Sequence, residues 1–182
     1  MTARKTTLLF TLLSLMSSFW LGCNLWPVRW ESLTHAHRFR LILPDYLEPT
    51  EDLAPGAALQ YQNRRREIFL AVHYAALDSL YEKRPDYSTE DYYDFHVRNL
   101  LDPMRQTEAS AIDTVQAANL SGLGGTFSGF YEQDQLHFWL WVLEGEAHLY
   151  QVLLWTPESK RPQVEADVRR ILTSFEELTP DP

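Results

Sequence analysis

The stretch from residue 114 to 156 constrains this chain most. Four apolar-rich segments, 114–120, 125–131, 136–143 and 149–156, are parted only by Ser121-Gly122-Leu123-Gly124, Gln133-Asp134 and Glu144-Gly145-Glu146. Links that short cannot carry a crossover, so consecutive strands must pair antiparallel, as a meander. The glycine-rich link reads as a hairpin turn or bulge in which glycine supplies φ > 0. It also has the look of a phosphate cradle, but no lysine follows and it joins strands instead of opening a helix, so a P-loop is excluded.

The upstream segments extend the same sheet. Residues 38–43 alternate Phe39, Leu41 and Leu43 against Arg38, Arg40 and Ile42, the period of a strand with one apolar face. After the turn-rich link 49–56, segments 58–62 and 68–77 form a hairpin around 63–67. The second of these is apolar on both faces, as a central strand covered from both sides must be. Residues 88–104 read as a helix, with Ser88 and Asp91 as a capping box, Pro103 near its end, and Tyr93, Val97, Leu100, Leu101 and Met104 on one face. Residues 162–177 place Val164, Val168, Ile171, Leu172 and Phe175 at helical spacing, with Pro162 in the first turn. The expected class is α+β, a mostly antiparallel sheet covered by helices on both faces.

The chain begins with a basic pair, Arg4 and Lys5, an apolar run over 6–21 without acids, and then Gly22 and Cys23, the only cysteine. This is signal-peptide grammar. The end of the run resembles a bacterial lipoprotein cleavage site, where residues 1–22 are removed and the Cys23 thiol is lipidated. The alternative is an uncleaved single N-terminal transmembrane anchor, since 6–26 is long enough to span the hydrocarbon layer. Either reading puts the body in the cell envelope, outside the cytoplasm. The expected organisation is a signal peptide at 1–22, a lipidated tether at 23–35 carrying Trp26 and Trp30, and one globular domain at 36–182.

A single cysteine rules out an intramolecular disulfide and thiolate-rich zinc or iron sites, so stability must come from packing. With 45% hydrophobic and 13% aromatic residues, the chain has the material for one core. Loss of residues 1–22 removes Arg4 and Lys5 and leaves 14 basic against 25 acidic residues, a formal charge of −11. A field of that sign repels phosphate backbones, and nucleic acid is not an expected partner.

Three pieces resemble the PsbP-like family, an α/β/α sandwich shared by photosystem II extrinsic subunits, a Ran-binding transport factor and many bacterial envelope lipoproteins. They are the opening Phe39-Arg40-Leu41-Ile42-Leu43-Pro44, the strand Leu149-Tyr150-Gln151-Val152-Leu153-Leu154-Trp155-Thr156, and the closing Ile171-Leu172-Thr173-Ser174-Phe175. The resemblance spans residues 36–178 and carries no catalytic residues. Members of the family are largely adaptors and accessory subunits, so it implies a protein partner and binding more than turnover.

Several residue groups are candidates for chemistry. Arg64, Arg65 and Arg66 are the one concentrated positive spot, at the expected hairpin tip, suited to anionic headgroups or an acidic partner. Trp139 and Trp141 either underlie a helix or line a groove, and with Tyr92 or Tyr93 they would bound a site for a small molecule or lipid. His35 and His37 would face one side of an extended segment, but two ligands do not close a metal site. Glu90 and Asp94 match the dipole of a helix start. His73 and His137 would serve a hydrolase only with a carboxylate or hydroxyl adjacent in space. No catalytic triad, nucleotide fingerprint or HExxH motif is present. The expectation is therefore a non-enzymatic envelope lipoprotein acting as an interaction or accessory module, without cofactor or metal, and alternatively a small-molecule or lipid binder.

Overall fold

Nine residues, Ile68–Ala76, form an interior strand of the large sheet, here called β5. Ile68, Leu70, Ala71 and Val72 are wholly buried, as a strand with both faces covered requires. The structure is a computed structural model that describes residues 27–178. Residues 1–22 and Cys23 lie outside the described residues. Among those described, no helix is long and apolar enough to cross a membrane.

In chain order, β1 (Trp30–His35) and β2 (Phe39–Pro44) pair as a hairpin, and β3 (Glu48–Pro49) and β4 (Leu59–Asn63) lead into β5. Two helices follow, α1 (Leu77–Lys83) and α2 (Thr89–Leu101). The chain returns to strand in β6 (Arg105–Ala109), β7 (Asp113–Gln116), β8 (Ser121–Tyr131), β9 (Asp134–Glu144) and β10 (His148–Pro157). A 3-10 turn (Glu158–Lys160), α3 (Arg161–Thr173) and β11 (Glu176–Glu177) close the chain.

The large sheet runs β3-β4-β5-β10-β9-β8-β6, with β7 also on β8, and the small sheet runs β1-β2-β11. Every pairing is antiparallel. The long strands alternate between two cores. Leu70, Val72, Trp139, Leu143, Tyr150, Val152 and Leu154 point toward α3 and the small sheet, into the core that holds Phe39, Leu41, Val168, Ile171 and Phe175. Phe127, Phe138, Leu140, Val142 and Leu149 point the other way, beneath Tyr92 and Tyr93 of α2. The fold is α+β with helices on both faces of a mostly antiparallel sheet.

The expected capping box is present. The Asp91 backbone N–H donates to Ser88 Oγ at 3.1 Å, and the Ser88 N–H donates to Asp91 Oδ2 at 3.0 Å. The Ser88 N–H, and the Ser88 hydroxyl that also donates to Asp91 Oδ2 at 2.9 Å, hold the Asp91 carboxyl below its ordinary pKa. Phe175 leaves the helix that its spacing suggested, but it is wholly buried and stacks on Phe39 at 5.1 Å between ring centroids.

Four expectations are corrected. Ser121–Gly124 is not a turn but the start of β8, paired with β7 on one side and β9 on the other; the turn is at 117–120, closed by Ala117 N–H to Leu120 O at 3.0 Å. Gly122 serves close approach instead of positive φ: a Cβ there would stand 1.9 Å from the Val142 carbonyl oxygen. The tether expected over 23–35 is partly folded, because Trp30–His35 pairs along its whole length with β2. The strand expected to reach Leu77 stops at Ala76, where the Leu77 N–H donates to Ala147 O and α1 begins. Residues 105–109, which carry no strand signal in the sequence, form an exposed edge strand on β8 with a shifted register between Arg105 and Glu108.

Candidate functional site

The two tryptophans of β9 both underlie a helix and line a groove. Trp139 and Trp141 are two residues apart, so they share the face toward α3. Trp139 is 6% exposed and Trp141 half-buried. Beside them Thr126 of β8 and Val115 and Gln116 of β7 face Glu165, Val168, Arg169, Leu172 and Thr173 of α3 across a cleft of about 380 Å³. The helix stands on the sheet through Val168 and Leu172, 1% and 2% exposed. Toward β7 and β8 the side chains are smaller and the gap stays open. The floor is mainly apolar and the rim polar, the composition of a small-ligand site.

Charges along the rim are unevenly matched. Glu165 Oε2 lies 3.9 Å from Arg161 Nε, and Arg161 also reaches Glu158 Oε1 at 3.6 Å. Arg169, one turn further along α3, has no carboxylate within 4.0 Å among the described residues. Its neighbour Arg170 stacks on the Trp30 ring at 4.0 Å, which pins β1 to the helix. Asp167 takes the Tyr46 hydroxyl at 2.6 Å, and burial, reinforced by this bond, pushes the phenol upward.

The other candidates fall elsewhere. Tyr92 and Tyr93 belong to the opposite core, so no groove joins them to Trp139 and Trp141. Strand periodicity sends neighbouring residues to opposite faces, and α2 covers the face that α3 does not. Burial raises both phenols to about 12. Arg64, Arg65 and Arg66 do sit at the exposed β4–β5 turn, but Arg66 is committed to the Tyr46 ring at 4.0 Å. His35 and His37 do not share a side: His35 stacks on Phe39 in the strand, and His37 lies in the hairpin turn at φ 54°.

His137 has the carboxylate neighbour that a hydrolase would need, with Nδ1 3.0 Å from Glu158 Oε2. Access is lacking. The residue is 3% exposed, its Nε2 is enclosed without a protein partner, and burial holds its pKa below the ordinary value. His73 Nδ1 and His96 Nε2 are likewise enclosed, and His96 is depressed to about 4 by burial and by its proximity to His73.

One cluster gave no signal in the sequence. Glu177, 9% exposed, accepts the Tyr150 hydroxyl at 2.8 Å and the Glu146 N–H at 2.6 Å, and His148 Nδ1 lies 3.3 Å away. Arg38 Nη1 reaches the other ring nitrogen of His148 at 3.0 Å. The guanidinium can only donate, so His148 Nε2 accepts and Nδ1 carries the proton toward Glu177. These partners are scattered through the chain, which leaves no local motif to find.

No family model matches the chain, and neither does any curated protein. Solved structures do match. Cyanobacterial PsbP (CyanoP) from Synechocystis sp. PCC 6803 superposes with a TM-score of 0.58 at 16% identity, over 86% of this chain and 95% of that one. This is the PsbP/Mog1-like fold. The Saccharomyces cerevisiae Ran-binding protein Mog1p matches with a TM-score of 0.57 at 10% identity, over 84% and 97% of the two chains. LpqN of Mycobacterium tuberculosis, described as involved in cell envelope biogenesis, matches with a TM-score of 0.53 at 9% identity, over 89% and 96%. At such identities the likeness is one of fold.

Proposed function

We propose that this protein is a non-enzymatic accessory module of the bacterial cell envelope, tethered to the membrane through Cys23, that works by binding. The observation that carries the reading is the contrast between an open, tryptophan-floored cleft under α3 and a histidine, His137, that is enclosed although its partner Glu158 is partly exposed. The cleft has the form of a surface that receives a ligand, while the imidazole of His137, the histidine read as a catalyst candidate, is enclosed. The company of the fold supports the same direction: Mog1p binds Ran, and LpqN is involved in cell envelope biogenesis.

A protein partner is the leading reading. The second, a small amphiphile, is favoured by the size and apolar floor of the cleft. The tether is tested with Cys23→Ser. Release from the membrane fraction and loss of acyl mass are expected, and unchanged membrane association with no acyl mass on the parent protein would remove the lipoprotein claim. Binding is tested in intact cells with a photo-crosslinking residue at Thr173 on the cleft rim and, as a control, at exposed Phe95 on the opposite face. An adduct specific to Thr173 is expected; equal adducts from both positions would count against a dedicated site.

A further inference from the structure

We propose that the cleft under α3 binds one free, single-chain fatty carboxylate, with the hydrocarbon against Trp139, Trp141, Val168 and Leu172 and the carboxylate at Arg169. The inference rests on the reading of the domain as a binding module and names the ligand class of that site. Shape and chemistry agree on it. A volume of about 380 Å³ lies toward the lower end of the ~300–1,000 Å³ typical of small-ligand pockets, enough for one slim chain and not for a diacyl lipid. The floor offers indole and aliphatic surface, on which each methylene removed from water adds to affinity.

Charge decides the headgroup. Of the two charged side chains lining the cleft, Glu165 is compensated by Arg161, and Arg169 has no carboxylate partner among the described residues. A guanidinium is a forked donor that matches a carboxylate with two parallel bonds. Gln116 on the opposite wall makes no side-chain hydrogen bond among the described residues, so its amide is free to donate as well. The net charge of −9 opposes an anion at long range, so recognition resides in contact at Arg169.

The test uses membranes that contain the full-length protein and a fatty acid carrying a photoreactive diazirine on its chain, with labelled peptides mapped by mass spectrometry. Labelling is expected on the peptides holding Trp139–Trp141 and Val168–Leu172. Dodecanoate should compete, and dodecanol should need about tenfold higher concentration, as loss of one charge-assisted contact predicts. Arg169→Gln lies on an exposed position and leaves the fold intact; it should weaken dodecanoate about tenfold and leave dodecanol unchanged. A bulkier Thr126→Phe should abolish labelling by filling the cleft.

Equal competition by acid and alcohol would overturn the assignment, as would labelling outside the cleft. Competition by phosphatidylglycerol alone would point to a bilayer headgroup and overturn the free-acid source. An unlabelled cleft with a protein adduct at Thr173 would overturn this inference while leaving the binding module standing. An unlabelled cleft with no specific adduct would remove both.

Discussion

The Tyr150 hydroxyl donates to the Glu177 carboxylate at 2.8 Å inside the protein, 27 residues away along the chain. The same carboxylate takes the Glu146 N–H, and it packs so closely on Gly145 that a Cβ there would stand 2.3 Å from Glu177 Oε2. One charged group thus holds β10, the β9–β10 turn and the C-terminal strand together, and burial plus that charge pushes the Tyr150 phenol far upward.

Glu177→Ala should lower stability by about 2–4 kcal/mol, because it leaves a buried hydroxyl and a backbone N–H without their acceptor. Glu177→Gln should cost less, since an amide oxygen still accepts. Chemical denaturation of the two variants checks the order, and an equal loss in both would show that packing, not the acceptor, dominates.

Gly122→Ala should destabilise more than an ordinary alanine substitution in a strand, by about 3 kcal/mol or more, because the methyl would occupy the space of the Val142 carbonyl. Gly56→Ala should cost only about 1 kcal/mol: Gly56 has φ 78°, but nothing stands near its missing Cβ. Thermal melts of the pair separate steric conflict from backbone strain.

Stability should fall as the pH drops from about 6.5 to about 4. In this window an unfolded chain takes up a proton at His96 that the folded protein, with His96 depressed to about 4, does not. The unfolded state binds more protons, so ΔG of unfolding declines with acid; above pH 6.5 both states are neutral there and the effect is absent. The contribution is about 1–2 kcal/mol once partial solvent screening is allowed for. His137 is shifted in the same direction and adds to the slope. Melting curves at pH 7.5 and 4.5 should show a smaller difference for His96→Phe than for the parent.

Ser88→Ala should cost about 1 kcal/mol by removing the α2 cap. Hydrogen exchange should then rise first in the amides that follow Ser88, while the amides of α3 stay unchanged.

Much of the fold was legible because its signals are local. The two-sided apolarity of β5, the Ser88–Asp91 box and the 164/168/171/172 stripe each state their structure within a few residues. β6 was silent because Arg105–Ala109 is wholly exposed and has no apolar face to alternate. β1 resembles a tether in sequence because only half-buried Trp30, Leu33 and His35 interrupt an exposed strand. Ser121–Gly124 misled because glycine marks two things, a left-handed turn and a close approach of chains, and only the neighbouring β9 shows which. Trp139 and Trp141, named from the sequence, line the cleft, whereas Arg169 gives no sequence signal, because a surface arginine on a helix looks like any other until its acidic neighbour is seen to lie against Arg161.

The small sheet pairs β2 with β11, and the Arg40–Glu176 ion pair across them, at 2.6 Å, closes a separation of 136 residues. Loop closure on that scale comes late, and topologies rich in distant pairings form slowly. A nascent chain that still lacks residues 175–177 therefore has no partner for the outer edge of β2 and lacks the Phe175 ring that stacks on Phe39. The small sheet, opened by the first described strands, is completed only once residues 176 and 177 have been made.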